Sequence, residues 1–216
     1  MTPEQLAAQL RQPTGADGAT VAGNMNSSNQ PIIANTYAAL TLQGAERLLE
    51  IGPGSAGHLP TLLAQAPDLD YTGLDLSADM VKAADALHGF RPGVRFTHGD
   101  IRQAPLPENH YHGILAINVV YFWQPLAPAL HAIYRHLKPG GQLCLGLRDR
   151  QSMSTLPVFE HGFLTYEGPD LMQALANAGF EQPAMTRHPE DSVSVLGQVM
   201  HKTGLVVTAR KPESQP

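Results

Sequence analysis

Apolar and polar positions alternate with two different periods along this chain. From residue 47 onward a short apolar run, Leu48-Leu49-Glu50-Ile51, ends in glycines and is followed by an amphipathic stretch over 59–66 that Pro67 stops. This predicts a strand, a Gly-rich turn and a helix. The unit repeats: residues 69–74 read as a strand, 78–87 as a helix, 94–97 as a strand and 113–119 as a buried strand. A helix over 127–137 then breaks at Lys138-Pro139-Gly140-Gly141, and 142–147 forms the next strand. Strands alternating with helices at this spacing imply βαβ crossovers and an α/β, doubly wound, mostly parallel sheet. Downstream, 170–178 reads as a helix capped by Gly179, and strands over 183–188 and 204–210 close as an antiparallel pair. Upstream, 14–31 is rich in Gly, Ala, Asn, Ser and Thr and reads as a loop or lid, with a helix over 36–43 leading to the turn at Gly44. The expected organisation is an N-terminal lid or loop segment (1–35), one domain (36–211) and a short tail (212–216).

Composition narrows the classes. The chain has 216 residues, 43% of them apolar and 15% charged, with a formal net charge of −5. That supports one well-cored globular domain and runs against a nucleic-acid binder that works by neutralising phosphates. The longest apolar run, 113–123, is interrupted by Asn118 and is too short for a membrane span. The N-terminal residues lack the pattern of a secretory signal, and the single cysteine, Cys144, lies in an apolar strand as an inert core residue. A soluble, cytoplasmic protein is the expectation. His110-x-His112 sits in a polar turn without cysteine or HExxH spacing, so no metal site is expected.

The strongest chemical feature is Glu50-Ile51-Gly52-Pro53-Gly54-Ser55-Ala56-Gly57 at the end of the first strand. Glycines there allow a tight turn and close approach of a ligand to the backbone, and the next helix offers free amides. Gly52-x-Gly54-x-x-Gly57, with Asp75 at the end of the second strand, also fits a dinucleotide fingerprint. A nucleotide-like ligand follows from either reading.

Leu49-Glu50-Ile51-Gly52-Pro53-Gly54 resembles the first motif of class I S-adenosylmethionine-dependent methyltransferases. Gly73-Leu74-Asp75-Leu76-Ser77-x-x-Met80, Gly99-Asp100-Ile101 and Leu137-Lys138-Pro139-Gly140-Gly141 resemble three further motifs of that family, in order and at similar spacing over 45–147. The resemblance implies a Rossmann-like, seven-stranded sheet with a C-terminal antiparallel strand, S-adenosylmethionine as cofactor and S-adenosylhomocysteine as product. It places Glu50 near the methionine end, Gly52, Pro53 and Gly54 along the cofactor, and Asp75, with Leu76 and Met80 beside it, on the ribose hydroxyls. It also places Asp100 on the adenine amine, the Ile101 amide on a ring nitrogen, and Asn118 against the cofactor. One departure is Ala56, which stands where the family often has a third glycine. An NAD-dependent oxidoreductase leaves Glu50, Gly99-Asp100 and the Lys-Pro-Gly-Gly turn unexplained. A nucleic-acid or protein methyltransferase shares the core, but this chain shows no basic appendage. A non-catalytic S-adenosylmethionine-binding protein is a further alternative.

The leading expectation is methyl transfer to a small molecule, with no nucleic-acid or membrane partner; the pattern sets no oligomeric state. Tyr121, Phe122 and Trp123 follow the fourth strand at the ligand edge of the sheet. Asn118-x-x-Tyr121 is similar to an amine and base methyltransferase motif but lacks its two central prolines. The acceptor pocket is expected between this cluster and residues 160–166, with Tyr121 and His161 as candidate catalytic groups. Met25-Asn26-x-x-Asn29 and Arg148-Asp149-Arg150 are further features similar to small bacterial methyltransferases, and residues 25–37 are expected to close over the cofactor.

Overall fold

A computed structural model describes residues 1–42 and 44–213. Three helices come first: α1 (Pro3–Arg11), α2 (Gly15–Ser28) and α3 (Gln30–Ala38). The alternating core follows as β1 (Arg47–Ile51), α4 (Leu59–Gln65), β2 (Asp70–Asp75), α5 (Ala78–His88), β3 (Val94–His98) and β4 (Tyr111–Ile117). A single 3-10 turn (Val120–Phe122) leads to α6 (Leu126–His136) and β5 (Leu137–Arg148). The chain ends with α7 (Arg150–Ser154), α8 (Gly168–Asn177) and the hairpin β6 (Glu181–Val195) and β7 (Gln198–Arg210).

The seven strands form one sheet in the order β3-β2-β1-β4-β5-β7-β6. The first five are parallel, and β7 inserts antiparallel between β5 and β6. The order reverses between β1 and β4, where open α/β sheets hold ligands at the carboxyl ends of their strands. Both faces are covered, which is why the central strands read as continuous apolar runs. In β4, Ile114 and Ala116 join the core with α6 and α8, while Leu115 joins the core with α3, α4 and α5. Cys144 is buried on the second face, where burial pushes its thiol up to about 12. Among the described residues no helix is long and apolar enough to cross a membrane.

Several expectations need correction. The 1–35 segment is helical, and α3 runs across its expected boundary with the domain; the helix expected over 36–43 ends at Ala38, and Gln43 lies outside the described residues. Small polar residues are weak helix formers, but packing overrides propensity. Val21, Ala22, Ile32 and Ile33 are buried, and the Gly15 N–H donates to Asp79 Oδ2 at 2.9 Å. The Lys138-to-Gly141 segment does not precede β5 but begins it, across a register shift opposite Tyr111 and Gly113. His112 lies within β4, its Nδ1 accepting the Arg47 N–H at 3.0 Å, rather than in a solvated turn. The two C-terminal strands extend well beyond 183–188 and 204–210, into an arm whose turn has Leu196 and Gly197 both at positive φ (49° and 80°). That is the conformation of a two-residue hairpin turn. Of the expected tail, 214–216 lies outside the described residues.

Candidate functional site

The carboxyl ends of β1 to β4 open into a cleft with a cavity of about 100 Å³. The turn after β1 starts with Gly52 at φ 71° and continues through Gly54 at φ 59°. A Cβ on Gly52 would lie 2.6 Å from Val119 Cγ2, so backbone conformation and packing both demand glycine there. A Cβ on Gly54 would meet open space, leaving that stretch of backbone accessible. Ala56, at the departure from the family pattern, takes φ 53° and is fully buried. Gly57 serves a different purpose: its Cβ would lie 2.7 Å from Asn26 Nδ2, so its bareness lets α2 settle on the loop. There the Asn26 amide donates to Ser55 Oγ at 3.0 Å.

Asp75 braces this turn. Its Oδ2 accepts the Gly54 N–H and its Oδ1 the Ser77 N–H, both at 2.8 Å. Burial raises its pKa above the ordinary value, opposed by those two hydrogen bonds. Each oxygen keeps a lone pair for a ligand. Glu50 lies one strand away at 1% exposure, with Oε1 accepting His58 Nε2–H at 2.9 Å and Oε2 the Tyr71 hydroxyl at 2.8 Å. Burial lowers the pKa of His58, but the charge and hydrogen bond of Glu50 outweigh it and hold the net value above the ordinary one. Burial and Glu50 together raise Tyr71 well above the usual phenol range. Glu50 thus ties β1, β2 and the start of α4 together and borders a cavity of about 60 Å³ with Pro53, Ser55 and Asn26. Asp100, at the end of β3, is clasped by Arg102: Nε donates to both carboxylate oxygens at 2.9 and 3.0 Å, and Nη2 also contacts Oδ2. Hydrogen bonding to Arg102 holds the Asp100 carboxyl below its ordinary value.

Gly52, Gly54, Asp75, Leu76, Asp100, Ile101 and Asn118 all line the one cleft, with Leu10 and Arg11 of α1, Pro13 of the link after it and Met25 of α2. Glu50 and Pro53 border the adjoining small cavity instead. Met80 is not part of the lining; it is buried in the first turn of α5, where its N–H donates to Ser77 Oγ. Asn118 takes φ 57°, a left-handed conformation that asparagine tolerates, and its N–H donates to Gly146 O at 2.7 Å.

Beside the cleft lies a larger cavity of about 400 Å³. Tyr121, Phe122 and Phe163 form one of its walls, the two phenylalanine rings 4.9 Å apart, so the 160–166 stretch does face the aromatic cluster. Trp123 is on the cleft side. The Tyr121 hydroxyl donates to Asn118 Oδ1 at 3.1 Å and accepts the Arg148 N–H, and burial pushes its pKa far above the usual phenol range. His161 is exposed and lines neither cavity. Sequence reasoning missed the share of the C-terminal hairpin in this cavity: Val193 to Leu196 at its tip, with Met200 and Lys202; Arg148, singled out with its motif, lines it too. The available signal was the alternation of Val193, Val195 and Val199 around Gly197.

A methyltransferase domain family matches residues 49–145, from within β1 to within β5. The uncharacterised methyltransferase YdaC of Bacillus subtilis (strain 168) is 30% identical over 128 residues, covering 59% of this chain and 70% of its own length. The chain spans smaller shares, 33% and 42%, of the next two curated relatives. Among solved structures, a chain of the Haloferax volcanii complex between the Trm112 methyltransferase activator and a candidate methyltransferase aligns with a TM-score of 0.78 at 17% identity. It covers 90% of this chain and 94% of the other. A Haemonchus contortus phosphoethanolamine N-methyltransferase 2, solved with phosphomonomethylethanolamine and S-adenosylhomocysteine, aligns with a TM-score of 0.68 at 15% identity, over 87% of this chain and 53% of the other. At such identities the structures speak to fold alone; the family rests on the matched domain and on YdaC. The chain belongs to the class I S-adenosylmethionine-dependent methyltransferases, and S-adenosylmethionine is its cofactor.

Proposed function

We propose that this enzyme methylates a small molecule with a largely apolar body, bound in the 400 Å³ cavity next to the cofactor cleft. The observation that carries the reading is continuity: Leu10, Met25, Asn118 and Phe122 line both spaces. An acceptor in the larger cavity therefore meets the cofactor end of the cleft across these four side chains. The volume lies in the usual range for small-molecule sites, and Met153, Leu156, Val158 and Phe163 supply an apolar lining.

S-adenosylmethionine supplies an electrophilic methyl on a sulfonium. The chain's own contribution is to hold the two reactants and exclude water. Asp75 and the Gly52–Gly54 turn hold the nucleoside, and Asp100, kept ionised by Arg102, faces the adenine side of the cleft with Ile101. None of the four shared residues titrates, so proximity, orientation and desolvation carry the rate. Tyr121 is a positioning residue in this scheme: its hydroxyl is engaged on both sides and orients Asn118. His161, outside both linings, has no part in it. Leu10 of α1 and Met25 of α2 line both spaces; of the 25–37 stretch, Met25, Ser28 and Asn29 border the larger cavity and Met25 the cleft.

Incubation with methyl-labelled S-adenosylmethionine and fractionated cell extract tests the assignment. Label should appear in a small-molecule fraction that partitions into organic solvent. Label confined to precipitated protein or nucleic acid would overturn the acceptor class.

A further inference from the structure

Arg148 and Lys202 are the charged residues in the lining of the 400 Å³ cavity among the described residues, and both are cations. Each is buried, with side-chain exposures of 4% and 6%. They share one carboxylate, Glu190, itself at 2% exposure and set behind the lining. Arg148 Nη1 contacts its Oε1, and Lys202 Nζ lies 3.5 Å from its Oε2. Of the neighbouring acids, Asp149, next to Arg148 in the chain, is paired with Arg187 at 2.6 Å, and Asp191, next to Glu190 on β6, is exposed to solvent. One positive charge is thus left over at the wall of an apolar cavity. An uncompensated buried charge is costly, and a group that neutralises it on binding gains what water cannot supply there.

The hydrogen bonds point the same way. Lys202 Nζ donates to Ser28 O at 3.0 Å, and Arg148 Nη2 makes a long contact of 3.4 Å to Asn29 Oδ1. An ammonium has three donors and a guanidinium five, so both heads keep capacity for an oxyanion.

Resting on the proposed acceptor cavity, we infer that the acceptor carries a carboxylate-type anion, held by Lys202 and Arg148. The anion is a handle rather than the reacting atom. It lies at the wall formed by β5 and the hairpin, while the apolar body fills the cavity and the methylated atom sits at the Asn118–Phe122 end. The excess positive charge then selects amphipathic acids over neutral molecules of equal size, because an ion pair formed away from water discriminates more strongly than apolar contact alone.

The test is calorimetric titration of octanoate and of 1-octanol into protein saturated with S-adenosylhomocysteine. Octanoate should bind about tenfold or more tightly than octanol. Lys202→Met keeps an unbranched side chain one atom shorter, removes the charge and leaves the Arg148–Glu190 pair in place; it should abolish that difference without changing S-adenosylhomocysteine affinity, and Lys202→Arg should restore it. Equal binding of the two probes to the wild type, a comparison that needs no variant, would overturn the anion handle and leave the cavity reading standing. So would full octanoate selectivity in folded Lys202→Met. Binding of S-adenosylhomocysteine with no response to either probe would overturn the acceptor cavity itself and the handle with it.

Discussion

Replacing Asp75 by asparagine keeps the shape of the side chain and inverts half of its hydrogen bonding. The carboxylate is an acceptor at both oxygens; each takes one backbone N–H, from Ser77 and from Gly54 at 2.8 Å, and each retains one lone pair facing the cleft. Two retained acceptors match the two hydroxyls of a ribose. In the amide one oxygen becomes an NH₂ donor, which must face a backbone N–H whichever way it is turned. One brace of the turn and one ligand bond are lost together. Hydrogen bonds to charged groups contribute about 1.5 to 3 kcal/mol, so S-adenosylhomocysteine affinity should fall roughly 10- to 100-fold. The stability of the free protein should fall less, by about 1 kcal/mol, because burial raises the pKa of Asp75 and removing a buried charge repays part of the lost brace. Raised folded pKa also fixes a sign: this contribution to stability is present below the ordinary carboxylate value and is lost as pH rises through the folded one, so the substitution should remove that fall in stability with rising pH. Calorimetric titration and thermal melts measure the two effects separately. An unchanged dissociation constant alongside a lowered melting temperature would refute the ribose assignment and reduce Asp75 to a brace.

Other positions give independent checks. Gly52→Ala forces a left-handed alanine, which costs about 1 to 2 kcal/mol, and brings its Cβ 2.6 Å from Val119; adding Val119→Ala should recover only the steric part, as read by denaturant midpoints. Because the Glu50 pair outweighs burial at His58, the stability it contributes is full below the ordinary value of 6.5 and is lost as pH rises through the higher folded value. Glu50→Gln should remove that fall in stability above pH 6.5, and a flat wild-type profile there would contradict the pairing. Tyr121→Phe leaves the buried Arg148 N–H without its acceptor and should cost about 1 to 3 kcal/mol. Turnover should drop with an unshifted pH-rate profile; a shifted profile would show that the phenol transfers a proton.

The strands, their order of appearance and the cofactor motifs were legible in the residues because each rests on local rules. Short apolar runs between Gly and Pro stops mark buried parallel strands. Gly52, Gly54, Asp75, Asp100, Ile101 and Asn118 each sit within a few residues of a strand end, so finding the strands placed them at one edge. Tertiary structure decided the rest. The Gly and Asn residues of the N-terminal run are poor helix formers, and burial of Val21, Ile32 and Ile33 is what holds it as helix. Met80 and His161 carry suitable chemistry by type, yet one points into the core and the other into solvent, a choice made by packing. The 400 Å³ cavity brings together Phe163, Met25 and Leu196 at the hairpin tip, segments separated by more than a hundred positions at the extremes. Arg148 and Lys202 share Glu190 only because β5, β6 and β7 are neighbours, and no periodicity along one chain encodes which charges will share a buried wall.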